Sequence, residues 1–163
     1  KAAALAPNDF LTQYVFALSL LRQEVGTGAG EPRELAHAAL TRALAANPLS
    51  ADALAWQAYA DLALDTRIPE ARAAITRAVE LAPDRLDYRL RLAEVCLRQG
   101  ERGEARRLLT ELATATGDDR AVGRARELLA QLDRESTEAL HPTANDFCAI
   151  CRTRRDAPPS TSC

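Results

Sequence analysis

A chain of 163 residues is long enough to bury one core without a disulfide framework. Hydrophobic residues make up 47% of it, but alanine supplies 34 of them and aromatics only 4% of the chain, so the apolar surface is fine-grained and suits close helix-on-helix packing. Its 21 basic and 23 acidic residues are interspersed and leave a formal charge of -2, which excludes the basic footprint of a nucleic-acid or anionic-lipid binder, and no apolar run approaches the roughly 18 residues of a membrane span.

The first seven residues, KAAALAP, precede a helical stretch, NDFLTQYVFALSLLR, at 8–22. A glycine-rich segment, VGTGAGE, follows and reads as a loop. Next comes LAHAALTRALAANP at 35–48, then a second pair of helical stretches, SADALAWQAYADLAL at 50–64 and EARAAITRAVELAP at 70–83. A third pair is DRLDYRLRLAEVCLRQG at 84–100 and EARRLLTELATATG at 104–117. The segments share a frame, A-x3-[LI]-x2-A-x4-P: Ala36, Leu40, Ala43 and Pro48 in one copy, Ala71, Ile75, Ala78 and Pro83 in the next. In the third copy Ala105, Leu109 and Leu112 keep the spacing and Gly117 takes the proline position. Prolines stop the second helices of the first two copies, and the GERGE stretch at 100–104 supplies a glycine stop followed by an acidic start. Ala17, Ala58 and Ala93 in the first helices, with Ala36, Ala71 and Ala105 in the second, let paired backbones approach closely.

Three registered copies at a period of about 34 residues resemble the tetratricopeptide repeat family. The resemblance covers residues 1 to about 117 and implies an all-α fold, an α-solenoid of antiparallel helix hairpins. KAAALAP matches RAVELAP at 77–83, so residues 1–7 are expected to end a truncated upstream repeat. The repeats are expected at about 8–48, 49–83 and 84–117, with a capping helix at 118–134 and a flexible tail at 135–163. The cap follows from DDRAVGRARELLAQLDR, where Val122, Ala125, Leu129 and Leu132 form one stripe and Arg120, Arg124 and Glu127 belong to a polar outer face. Gln57 and Asp61 depart from the family pattern, which usually has apolar groups there, and loosen the register of 52–64.

In this family the first helix of each repeat lines a concave groove that binds a protein or peptide. By repeat position the partner-binding residues are Tyr14, Leu18, Leu21, Arg22, Tyr59, Leu62, Leu90, Glu94 and Arg98, with Trp56 beside them if the register shifts. The Lys and Asn of a carboxylate clamp are replaced by Tyr14, Leu18, Trp56 and Asp87, which leaves Arg91 alone and disfavours that subclass.

No catalytic constellation is expected. His37 and His141 have no Ser, Cys or carboxylate at an activating spacing, His37 is assigned to the surface, and GTGAGEPRE lacks the Lys-Ser/Thr of a phosphate loop. No cofactor is implied. The chain therefore reads as a non-enzymatic scaffold, with two alternatives: an accessory region of a larger enzyme whose catalytic domain lies upstream, or a tail with a small zinc element. The latter would use Cys148 and Cys151 of CAIC with His141 and Cys163, which is only half of a recognised site, while Cys96 occupies a packing position. Compartment, whether cytoplasmic or periplasmic, and oligomeric state are left open.

Overall fold

The computed structural model describes residues 9–22, 30–65 and 67–140. The segment expected to end an upstream repeat, most of the glycine-rich loop, and the His141, Cys148, Cys151 and Cys163 set lie outside them. Within them are seven helices: α1 (Phe10–Arg22), α2 (Gly30–Ala46), α3 (Ala51–Leu64), α4 (Ile68–Leu81), α5 (Leu86–Arg98), α6 (Arg102–Ala113) and α7 (Asp119–Leu140). They pack as sequential antiparallel pairs, α1 with α2, α3 with α4 and α5 with α6, and α7 closes the series against α5 and α6.

Sequence punctuation sets these ends. The Ser50 side chain accepts the Ala53 N–H at 3.3 Å and starts α3, and Pro69 lies in the first turn of α4, where its missing donor is harmless. Pro48 and Pro83 stand in matching turns after α2 and α4. Gly100 adopts φ +77° after α5, and the Glu101 N–H then returns to the Cys96 carbonyl at 2.9 Å. The last helix runs past its expected end at Arg134 to Leu140, because Leu132 still packs inward and the following polar side chains are compatible with helix.

All six alanines singled out by the repeat frame have no accessible surface: Ala17, Ala58, Ala93, Ala36, Ala71 and Ala105. Three core clusters follow one another along the stack, each centred on one hairpin. A helix between two hairpins feeds both: α3 sends Ala53 and Ala60 into the first cluster and Ala58 and Leu62 into the second. The same division places Tyr88 and Val95 of α5 in the second cluster and Ala93 and Cys96 in the third. Helices buried on two sides lose the one-sided apolar stripe of a surface helix.

The stack bends. Odd-numbered helices touch one another in series, α1 to α3 to α5 to α7, whereas even-numbered helices make no such contacts among the described residues. The odd helices are therefore the crowded, concave side.

Between α2 and α3 the joint is polar. Gln57 donates to Thr41 Oγ1 at 3.1 Å, and His37 Nδ1 lies 2.5 Å from Asp61 Oδ1. The two departures from the apolar pattern on α3 thus meet polar residues with the same spacing on α2, and the register of α3 holds. His37, assigned to the surface by sequence, is partly buried with its ring turned to a carboxylate only 1% exposed. The contact is an ion-pair approach without hydrogen-bond alignment, and Asp61 Oδ2 has no hydrogen-bond partner among the described residues. Burial pushes the Asp61 carboxyl above the ordinary range, opposed by His37 and Arg67.

Two outcomes follow from this packing. Ala93→Leu, which forces a larger side chain between backbones with no free space, is expected to cost about 1–3 kcal/mol in urea unfolding. His37→Ala strands the buried carboxylate and is expected to cost about 2–3 kcal/mol at neutral pH. Because the fold raises the Asp61 pKa, its contribution is most favourable below the unfolded value of about 3.9 and is lost as pH rises through the folded one. The penalty of His37→Ala should therefore be smaller below the unfolded carboxyl value of about 3.9, where Asp61 carries no charge in either state, than at neutral pH, and unfolding curves giving the same penalty at both would refute the pairing.

Candidate functional site

On the concave side the odd helices enclose a hollow of about 910 Å³. The last turn of α1 supplies Leu21 and Arg22, α3 supplies Trp56 and Tyr59, α5 supplies Asp87, Leu90, Arg91 and Glu94, and the start of α7 closes the far wall. A second space of about 300 Å³ shares Tyr59, Arg91, Glu94 and Arg124 with it and extends to Leu62, Leu97, Arg98 and Leu128. Together they form one lengthened depression.

Its floor is aromatic and aliphatic. Trp56 and Tyr59 meet edge to face, with ring centroids 5.7 Å apart at 87°, the arrangement the ring quadrupoles favour. The Arg91 guanidinium lies over the Tyr59 ring at 4.7 Å and reaches Glu94 at 3.3 Å. Glu94 also faces Arg124 at 4.0 Å, and Arg124 reaches Glu127 at 2.9 Å. A chain of alternating charge therefore crosses from α5 to α7 and fixes the rim beside the rings.

The α3–α5 side is braced from beneath. Tyr88, 4% exposed, directs its hydroxyl to Asp52 Oδ1 at 2.5 Å, and the Arg85 guanidinium lies 4.4 Å from the Tyr88 ring centre. Burial, then the bond to Asp52, pushes the Tyr88 hydroxyl pKa up, so it remains a donor. Burial also raises Asp87, but the hydrogen bonds and charge of Arg85, at 2.9 and 2.8 Å, outweigh it and hold Asp87 below the usual carboxylate range.

The α7 wall begins at a cap. Asp118 Oδ1 accepts the N–H groups of Arg120 and Ala121, both at 3.1 Å, which starts the helix where its first turn faces the hollow. Arg120, Arg124 and Glu127, expected on a polar outer face, line the hollow instead. Since α7 follows α6 as a further inner-layer helix, one polar flank of its buried stripe turns to the concave side.

Among the residues expected in the groove, the structure brings Leu21, Arg22, Tyr59, Leu90 and Glu94 to the main hollow and Leu62 and Arg98 to its extension. Leu21 and Leu62 are mostly core, 7% and 9% exposed, and give the depression only an edge. Arg98 is drawn away to Asp65 at 2.6 Å. Tyr14 and Leu18 line neither space: Tyr14 stacks on Phe10 with centroids 5.5 Å apart, and α1 meets the hollow only through its last turn. Sequence reasoning kept Trp56 in reserve and set aside Arg91 and the α7 residues. The signal for the latter was the repeat length itself, which makes a helix after α6 a further first helix.

Among the described residues no group of three or more His, Cys, Asp or Glu is placed to hold a metal ion, and no helix is long and apolar enough to cross a membrane.

Residues 62–132, from the end of α3 into α7, match the profile of the tetratricopeptide repeat family. That stretch is similar to tetratricopeptide repeat domains, a class that in general serves as a protein–protein interaction scaffold. No curated protein matches the chain.

Removing the α7 cap by Asp118→Ala is expected to cost about 1 kcal/mol and to speed amide hydrogen exchange in the first turn of α7 with little change in α4. Equal acceleration in both would show that the cap does not act locally.

Proposed function

We propose that the protein is a non-catalytic scaffold whose concave face holds a segment of another protein. The observation that supports this most directly is the hollow of about 910 Å³ floored by Trp56, Tyr59 and Leu90 and rimmed by charged side chains. Rigid rings with few rotamers give a large contact area at low entropic cost, which is the property of interface anchors. The rim chain from Arg91 through Glu94 and Arg124 to Glu127 gives each long side chain a fixed partner, with the Arg91 guanidinium held over the Tyr59 ring.

Of the residues first assigned to the groove, Arg22, Tyr59, Leu90 and Glu94 are retained, with Trp56, Arg91, Arg120 and Arg124 added. The reading assigns Tyr14 to packing against Phe10 and the first core cluster and not to contact with the partner. Burial raises its hydroxyl pKa, as does the Asp52 charge, while Trp56 opposes the shift. The core alanines and the polar α2–α3 joint set the spacing of the inner helices and do not touch the partner.

The test is affinity capture of partners on the immobilised chain, compared with Trp56→Ala and Leu90→Ala. Both side chains are partly buried and pack against core clusters, so the helical content and unfolding midpoint of each variant are measured alongside and capture is compared well below that midpoint. A partner seated on the floor should be weakened about 30-fold or more by Trp56→Ala. A captured partner indifferent to both substitutions, with Tyr14→Ala abolishing capture, would move the binding face to α1 and defeat the proposal.

A further inference from the structure

The charges around the main hollow are not equally engaged. Every lining carboxylate but one is held by a neighbour: Asp87 by Arg85, Glu94 by Arg91 and Arg124, Glu127 by Arg124, and Asp118 by two backbone N–H groups. The remaining one, Asp119, sits exposed in the first turn of α7, where the partial positive charge of the helix end accommodates it. The lining cations divide differently. Arg91 and Arg124 are engaged, whereas the Arg22 and Arg120 guanidinium groups have no acceptor among the described residues. They stand at opposite walls of the hollow, Arg22 ending α1 and Arg120 beginning α7, with Trp56, Tyr59 and Leu90 between them.

We infer that the partner segment is an extended peptide with an apolar or aromatic middle and a carboxylate toward each end, one meeting Arg22 and the other Arg120. This rests on the groove reading above and specifies its occupant. A guanidinium without a carboxylate keeps its five donors free, and its planar fork matches a carboxylate in two parallel hydrogen bonds. Between the two arginines Trp56, Tyr59 and Leu90 suit an apolar middle, and the charged side chains of α5 beside them, Asp87, Arg91 and Glu94, are already paired.

The span suits an extended conformation. From α1 to α7 the inner layer takes three helix-to-helix steps, each about 8–10 Å, so the walls are roughly 25–30 Å apart at most. Extended chain covers about 3.3 Å per residue, so roughly six to nine residues between the two acids suffice once the reach of the arginine side chains is included. A helical segment advances only about 1.5 Å per residue and would need roughly twice as many, with most of its side chains turned away from the floor.

The experiment is fluorescence polarisation on the full chain with labelled peptides that share a Leu/Phe core and differ at the ends: Glu, Gln or Lys. The Glu-ended peptide should bind, and the Gln-ended one should bind about tenfold or more weakly, with the difference narrowing at high salt. Arg120→Glu should weaken the Glu-ended peptide and favour the Lys-ended one, a reversal that loss of folding cannot produce, and Arg22→Glu should act in the same direction.

Equal binding of Glu- and Gln-ended peptides, with Trp56→Ala still abolishing both, would overturn the acidic-end assignment and leave the groove reading standing. Binding of no peptide, or binding indifferent to Trp56→Ala, would overturn both. Self-association of the chain weakened by Trp56→Ala would also overturn the peptide assignment, since a second copy would then occupy the hollow.

Discussion

The close approach of paired helices at six alanines is the constraint on which the rest of the molecule depends. Ala17 with Ala36, Ala58 with Ala71, and Ala93 with Ala105 occupy the crossing regions of the three hairpins, and none has accessible surface. An interior at crystal-like density has no slack there, so one added side chain would separate the helices of its hairpin. Because each inner helix also serves the next hairpin, its two faces are fixed together. The concave layer therefore inherits its spacing from the alanine contacts behind it.

The joints between hairpins are less uniform than the hairpins themselves. The later ones are dominated by Ile75, Val95, Leu109 and Leu112, apolar side chains with no accessible surface. The first joint instead carries Gln57, Asp61, Thr41 and His37, and both oxygens of the buried Asp61 carboxylate lack a hydrogen-bond partner among the described residues, Oδ1 having only the ion-pair approach of His37. Buried polar pairs of this kind add little net stability, yet they penalise misregistry, because sliding α3 along α2 would strand both groups. Outside the core, four ion pairs join residues 33 positions apart: Glu34 with Arg67, Asp52 with Arg85, Asp65 with Arg98 and Arg102 with Glu135. Each is exposed and individually minor, but their common spacing shows charge placed with the repeat.

The hollow emerges from this geometry without any dedicated motif. Its floor comes from α3 and α5, its rim from ion pairs between α5 and α7, and its ends from two arginines on the outermost inner helices. The capping role of α7 and its part in the groove wall are compatible because they use different faces. Ala125, Leu128 and Leu132 turn to the last hairpin, while Arg120, Arg124 and Glu127 turn to the open side.

The sequence by itself determined the helices, their pairing and the crossing residues. Those depend on local signals, alanine spacing, prolines and the Gly100 stop, that repeat with the period and act within one hairpin. It also placed Tyr59, Leu90 and Glu94 on the inner layer, since repeat position alone decides that face. Only the tertiary structure decided which stretch of each inner helix meets the hollow. That depends on the accumulated inclination of successive hairpins, so Tyr14 and Leu18 fall outside while Trp56 and the start of α7 fall inside. The burial of His37 against Asp61 was hidden for a related reason: a polar residue on a helix reads as solvent-facing until another helix, 24 positions along the chain, brings it a partner.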